Sequence, residues 1–388
     1  MTTAVYIAPA LLMWAVERAG RTVEEVTATR DFAQFSQWLS GVRKPSYSQL
    51  QRFARYTHTP MGYFFLSDPP DEPVPIPDFR TLSNRGVPSR PSADLLDTIY
   101  TCQRRQGWYR DYVDREGLPP VDFAGTMRPD SAVVPELAET MTEQLHFALE
   151  GRPNLGKQAD VRRFLIKQVE NLGVLVAVTG VVGADTHRHL DPQEFRGFTL
   201  FDRAAPWIFV NGADTLNAQV FTLIHELAHV WAGDSGLSDA DVAATTSPHE
   251  EMWANQVAAE VLVPQAALQV QYGGNTETAE LDRLSDFFRA STLTILRRIF
   301  DAGWLTWNDY QQQYDIESHR VLDLMKGRAK PTGGEFYKAL PYKVGGDRFV
   351  RAVVADTLAG NTLYHDAFSL LGTAKTSTFQ ALTEKVLA

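Results

Sequence analysis

Thiol chemistry is nearly missing from this 388-residue chain, which carries a single cysteine, Cys102. One thiol can neither close an internal disulfide nor build a thiolate metal cage, so a reducing cytoplasm is the expected compartment. Long apolar runs are also missing. The longest, from Gly173 to Gly183, falls far short of the ~20 residues that span a bilayer. Residues 1–20 show no basic start followed by a long apolar core, so no export signal and no membrane partner are expected. Nor is there an excess of positive charge. The net charge of −10 provides no global field that would draw the chain onto nucleic acid. No internal repeat or low-complexity run stands out. What remains, 44% hydrophobic and 22% charged residues, is the composition of a folded globular protein, and the length suggests two or three domains.

The charge is unevenly placed. Residues 1–70 hold Arg18, Arg21, Arg30, Arg43, Lys44, Arg52 and Arg55 against Glu17, Glu24, Glu25, Asp31 and Asp68, a local net of +2. The same segment reads as a string of short helices. Thr22 with Glu25, and Ser46 with Gln49, have the spacing of capping boxes, the second ahead of an apolar rhythm at Leu50, Phe53 and Ala54. Gly20, Gly41 and Pro45 punctuate them, and Pro60 can open a last short helix through Phe64 and Phe65. The run Pro69-Pro-Asp-Glu-Pro-Val-Pro-Ile-Pro77 then favours a stiff, extended strap, and a domain boundary is expected there.

Beyond the strap, helical patterns occupy Ala93–Arg115, Val133–Gly151 and Lys157–Asn171. Short apolar runs at Val174–Val178, Phe198–Phe201 and Pro206–Asn211 read as buried strands. A long helix is expected from about Thr215 to Trp231, capped by Asp214 or Thr215, and another from Glu250 to Val263, stopped by Pro264. Residues 276–330 read as helical with a break at Gly303, and residues 335–388 as two or three further helices.

The sharpest signal is His225-Glu226-Leu227-Ala228-His229. On a helix, residues i and i+4 share a face with Cβ atoms ~5–6 Å apart, so both imidazoles can reach one zinc ion at ~2.0–2.1 Å. Glu226 lies one residue round the helix, able to reach a water that such a metal activates and to act as general acid and base. Chance alone gives such a pattern in few chains. Its neighbours Val220, Phe221, Leu223, Ile224, Leu227, Val230 and Trp231 make the helix apolar, a costly place to bury three polar side chains without a purpose.

A third ligand is expected from the next helix. Glu251, just over 20 residues after His229, would complete a two-histidine, one-carboxylate set that leaves a fourth position open. Asn255, four residues on, shares its face and would support a ligand histidine from outside. Glu250 reads as a surface charge, Glu260 as a salt-bridge partner or cap of a neighbouring element, and His249 as a weaker rival ligand. The strand 197–202 is a candidate for backbone pairing with an extended substrate, or else an ordinary internal strand. His187 and His189 lie in a polar loop and read as surface residues. Arg297 and Arg298 are candidates for phosphate or an acidic partner, although a solvated helix face is the commoner outcome.

Phe195-Arg-Gly-Phe-Thr-Leu200, Pro206-Trp-Ile-Phe-Val-Asn-Gly212, Phe221–His229 and Glu251–Pro264 together resemble the core of the ImmA/IrrE metallopeptidases, over roughly residues 160–300. The resemblance implies a zincin-like, gluzincin-type metalloendopeptidase with His225, His229 and Glu251 as zinc ligands and Glu226 as catalytic acid/base. Manganese or iron would suit the same site. Known members cleave helix-turn-helix repressors, so a protein substrate of that kind is implied.

Residues 1–80 resemble the XRE-type helix-turn-helix module fused ahead of such peptidases, through Trp38-Leu-Ser-Gly41, Pro45, Gln49–Ala54, Pro60–Leu66 and Pro75–Arg80. The recognition helix would be Asp31–Leu39. It offers Gln34, Ser36 and Gln37 to base edges, opens with an acid and exposes Phe32 or Phe35, while Arg43 and Lys44 would flank it on phosphates. The charge is modest for DNA, and a helical module that docks on the peptidase or on a repressor of like fold is the competing expectation.

The expected fold is therefore α+β and mostly helical. It comprises a helix-turn-helix-like domain over 1–68, a Pro-rich connector over 69–92, a metallopeptidase domain over 93–300 with a small sheet and the His-Glu-x-x-His helix, and a C-terminal helical domain over 301–388. The expected function is zinc-dependent cleavage of a regulatory protein. The alternative is a DNA-binding regulator or antitoxin whose peptidase domain senses or scaffolds, with a toxin or another neighbouring-gene product as partner.

Overall fold

A computed structural model describes residues 5–77, 91–129, 134–238, 249–326 and 336–387. The chain divides into two compact units, residues 1–75 with 87–99 and residues 76–86 with 100–388.

In the first unit, α1 (Pro9–Arg18), α2 (Val23–Ala28), α3 (Phe35–Leu39) and α4 (Tyr47–Tyr56) enclose a core built on Leu11, Trp14, Phe32, Phe35, Trp38, Leu50, Phe53 and Phe64. Both expected capping boxes are present, Thr22 with Glu25 ahead of α2 and Ser46 with Gln49 ahead of α4. The single recognition helix expected over Asp31–Leu39 does not form. A 3-10 turn at Arg30–Phe32 is separated from the five-residue α3, and Phe32 and Phe35 are both buried rather than exposed. Phe32, Phe35 and Trp38 all pack on Phe53, which draws both phenylalanines into the core instead of leaving one exposed.

The second unit takes up α5 (Ala93–Glu116) from Tyr100 onward, then α6 (Val134–Gln144) and α7 (Gln158–Asn171). Strands β1 (Leu175–Thr179), β2 (Gly197–Leu200) and β3 (Trp207–Asn211) follow, then α8 (Leu216–Ala232), β4 (Gly236–Ser238) and α9 (His249–Leu262). The sheet order is β1-β3-β2-β4, with β1 parallel to β3 and the other pairs antiparallel. Strand residues point alternately to the two sheet faces. Val176, Val178, Ile208 and Val210 join the core that α7 and α8 build, while Trp207 packs edge-on against Phe349 and Phe209 stacks on Phe198. Burial on both faces explains the unbroken apolar runs that marked these strands.

Helices α10 (Gln265–Gln271), α11 (Thr278–Phe288), α12 (Thr292–Asp301), α13 (Trp307–Lys326), α14 (Phe336–Val344), α15 (Gly346–Leu358), α16 (Tyr364–Leu371) and α17 (Thr376–Leu387) complete the unit. No helix among the described residues is long and apolar enough to cross a membrane. The expected break at Gly303 is observed, where φ is +77°. The tail holds four helices where two or three were expected, because Gly345 and Gly346, both at positive φ, end one helix and begin the next.

Two buried arginines lock the end of α9. Arg152 donates to the carbonyls of Val261 (2.8 Å), Leu262, Phe288 (3.0 Å) and Phe147 (3.1 Å). Arg298 donates to Val263 O at 3.0 Å and pairs with Glu260, whose other oxygen accepts the Gln265 N–H at 3.1 Å. Glu260 is thus a salt-bridge partner and a cap. Arg298 is no solvated face, and Arg297 pairs with Asp301 at 2.9 Å.

Candidate metal centre

The centre is assembled where α8 packs on α9. Thr215 caps α8 by accepting the Ala218 N–H at 3.1 Å, and Gln219 Nε2 ties the first turn to Gly212 O and Asp214 O. At the other end Gly233 adopts the left-handed conformation (φ +83°), so its N–H and that of Asp234 both bond to the carbonyl of His229. The helix stops one turn after the second histidine, and the chain turns back into β4.

His225, Glu226 and His229 are buried, and Glu251 is only 4% exposed. The His225 and His229 Nε2 atoms lie 3.1 Å apart. Glu251 reaches across from α9, with Oε2 3.3 Å from His225 Nε2 and Oε1 3.1 Å from His229 Nε2. Among the described residues these three form a cluster able to hold a metal ion. Two imidazole nitrogens and a carboxylate oxygen at these separations fit a divalent cation such as Zn2+, and the buried Nδ1 of His225 has no protein partner.

Electrostatics hold the cluster together. Burial opposes charge on Glu251, but the two histidines overcome it and keep its carboxyl well below the ordinary range. Burial likewise disfavours a charged His229, yet the hydrogen bond and charge of Glu251 prevail and raise its pKa to about 8. Glu226 moves the other way, since burial pushes its carboxyl up more strongly than the histidines pull it down.

The sheet supplies side chains that the sequence reading did not single out. Thr199 Oγ1 donates to Glu226 Oε2 at 2.8 Å, and Ser238 Oγ donates to Glu251 Oε1 at 3.3 Å. A Cβ on Gly197 would stand 2.9 Å from Glu226 Oε1 and 2.5 Å from Thr222 Cγ2, so the strand passes too close to α8 for a larger residue. Strand alternation was the available signal, because Gly197 and Thr199 share one face of β2. Ser238 gave no signal, since its strand forms only by pairing with the distant residues Gly197–Thr199.

The metal-ligating cluster consists of His225, His229 and Glu251 and does not include the other candidates. Asn255 has no hydrogen bond to either histidine, and its Oδ1 is buried without a partner, so the expected support is not made directly. Strand β2 is internal, with β3 on one side and β4 pairing with Gly197–Thr199 on the other, as in an ordinary internal strand. His187, His189 and His249 are exposed and Glu250 is half-buried. In the first unit Gln34 is half-buried at the start of α3, Gln37 is exposed on it, and Arg43 and Lys44 are exposed in the turn before α4.

Residues 169–300, about a third of the chain, match the peptidase family described as IrrE N-terminal-like domain, and residues 346–385 match a domain of unknown function. Neither match reaches residues 1–168. No curated protein and no solved structure matches the chain.

Proposed function

We propose that this protein is a metal-dependent endopeptidase that uses zinc at His225, His229 and Glu251 to cleave a regulatory protein. The observation that carries this reading is the convergence of those three donors, with Glu226 beside them, inside the segment that matches a peptidase family. Two imidazoles and one carboxylate favour zinc, although manganese and ferrous iron accept the same donors. A cation held there supplies Lewis acidity, polarising the scissile carbonyl and lowering the pKa of water. Glu226 takes a proton from the attacking water and returns it to the departing amine, a role that suits a carboxyl whose proton affinity is raised by burial. The resemblance to ImmA/IrrE proteins makes a helix-turn-helix repressor the substrate of choice.

The test is Glu226→Gln in zinc-loaded protein, incubated with the repressors encoded beside its gene. Wild type should cleave one of them, while the variant should keep its zinc and its fold and leave the repressor intact. Cleavage by the variant would remove Glu226 from this role.

A second reading, a DNA-binding regulator or antitoxin in which the peptidase unit senses or scaffolds, is favoured by one observation: Gln37, Arg43 and Lys44 are all exposed around α3. It requires sequence-specific mobility shifts on the protein's own promoter that survive Glu226→Gln and weaken on R43A/K44A.

A further inference from the structure

The carboxylate of Glu226 is not held by its own helix. Among the described residues its carboxylate accepts a hydrogen bond from β2, where the buried Thr199 hydroxyl donates to Oε2 at 2.8 Å; the other oxygen, Oε1, is buried with no protein partner. The same hydroxyl lies 3.0 Å from the Glu226 carbonyl oxygen. Gly197, two residues back on that strand face, leaves the space beside Oε1 that any Cβ would fill. The strand is fixed in turn by antiparallel pairing with β3 and β4 on its two sides.

From this we infer that Thr199 is a positioning residue for Glu226, fixing one carboxylate oxygen so that the other is presented to the reacting centre. The inference rests on the reading of Glu226 as the proton-transfer group and adds to it the residue that aims it. A hydroxyl can donate to the Glu226 carboxylate, which a methyl group of the same shape cannot. An unheld buried carboxylate would have to search for its geometry at each turnover, and groups that orient a metal site from outside are commonly worth about 10–100-fold.

The test compares Thr199→Val, which keeps the shape and loses the hydroxyl, with Thr199→Ser, which keeps the hydroxyl. Zinc stoichiometry and melting temperature establish that each variant folds and loads. Crystal structures of wild type and both variants give a readout independent of turnover. Glu226 should leave its observed position in Thr199→Val and keep it in Thr199→Ser. With fluorescein-labelled casein as the probe, kcat should fall ten- to a hundredfold in Thr199→Val with KM unchanged, and Thr199→Ser should recover most of the loss. Glu226 unmoved in Thr199→Val, or kcat within twofold of wild type, would overturn the inference. If the wild type is inert towards casein while Glu226 is displaced in Thr199→Val, the positioning relation stands and the peptidase reading is the one that fails.

Discussion

The Nε2 atoms of His225 and His229 stand 3.1 Å apart, facing one another inside the protein. Two nitrogens that each bind one tetrahedral zinc ion at ~2.0–2.1 Å would stand roughly 3.3 Å apart, so the pair is set for a shared cation with little rearrangement. Imidazoles bind a metal only when neutral. His229, raised to about 8 by Glu251, must therefore release a proton on metal uptake. Zinc affinity should rise about tenfold per pH unit between pH 6 and 8 and then level off. Titration calorimetry in buffers of different ionisation enthalpy would check this, one proton being released per zinc at pH 7.

The proposed centre requires the carboxylate from α9 as well as the two histidines. His225→Ala and Glu251→Ala should each purify with little bound metal, as measured by elemental analysis. In the Glu251→Ala variant, loss of the anion should also return His229 to a lower pKa, reversing the influence that now raises it.

Gly197→Ala addresses the close passage of β2 over α8. The added methyl would meet Thr222 Cγ2, Glu226 Oε1 and the Phe209 carbonyl at 2.5–2.9 Å. The cost of such overpacking is about 1–3 kcal/mol. Lowered stability in denaturant melts is expected, with zinc stoichiometry preserved, since no ligand is touched.

Arg152 bonds to the end of α9 far from Glu251 and secures that helix. Burial pushes its guanidinium down to about 9, and it satisfies the carbonyls of Val261, Leu262, Phe288 and Phe147. Arg152→Ala would leave several of these unpaired at about 1–3 kcal/mol each. A fall in melting temperature of roughly 10 °C is expected, and scanning calorimetry reads it.

Glu170 gives a pH signature outside the metal centre. Its Oε1 accepts the Asp347 N–H at 2.9 Å at the start of α15, where Gly346 (φ +91°) leaves no room for a side chain. Burial, with the nearby charge of Asp347, raises its pKa to about 7. Because the folded value exceeds the unfolded one, this group's contribution is complete below about pH 4.5 and is lost as pH rises through about 7. The loss is on the order of 3 kcal/mol. Urea melts at pH 5 and pH 8 should show it in wild type and lose it in Glu170→Gln.

Local signals made much of this architecture legible. The His-Glu-x-x-His face, the capping boxes at Thr22 and Ser46 and the apolar runs of β1, β2 and β3 each depend on residues within one turn or one strand. The failures share a cause, which is dependence on distant partners. Strand β4 exists only through its register with Gly197–Thr199, and Thr199 meets Glu226 only when β2 lies over α8. The span Asp31–Leu39 looked helical in isolation, but its aromatic residues answer to Phe53, two segments away. Asn255 sat on the expected face of α9, and face alone did not supply a hydrogen bond.

The most direct measurement is anomalous diffraction at the zinc edge from crystals of the full chain grown with zinc. A single strong peak is expected within ~2.0–2.2 Å of His225 Nε2, His229 Nε2 and a Glu251 carboxylate oxygen. No peak there, or zinc bound only to other residues, would contradict the account.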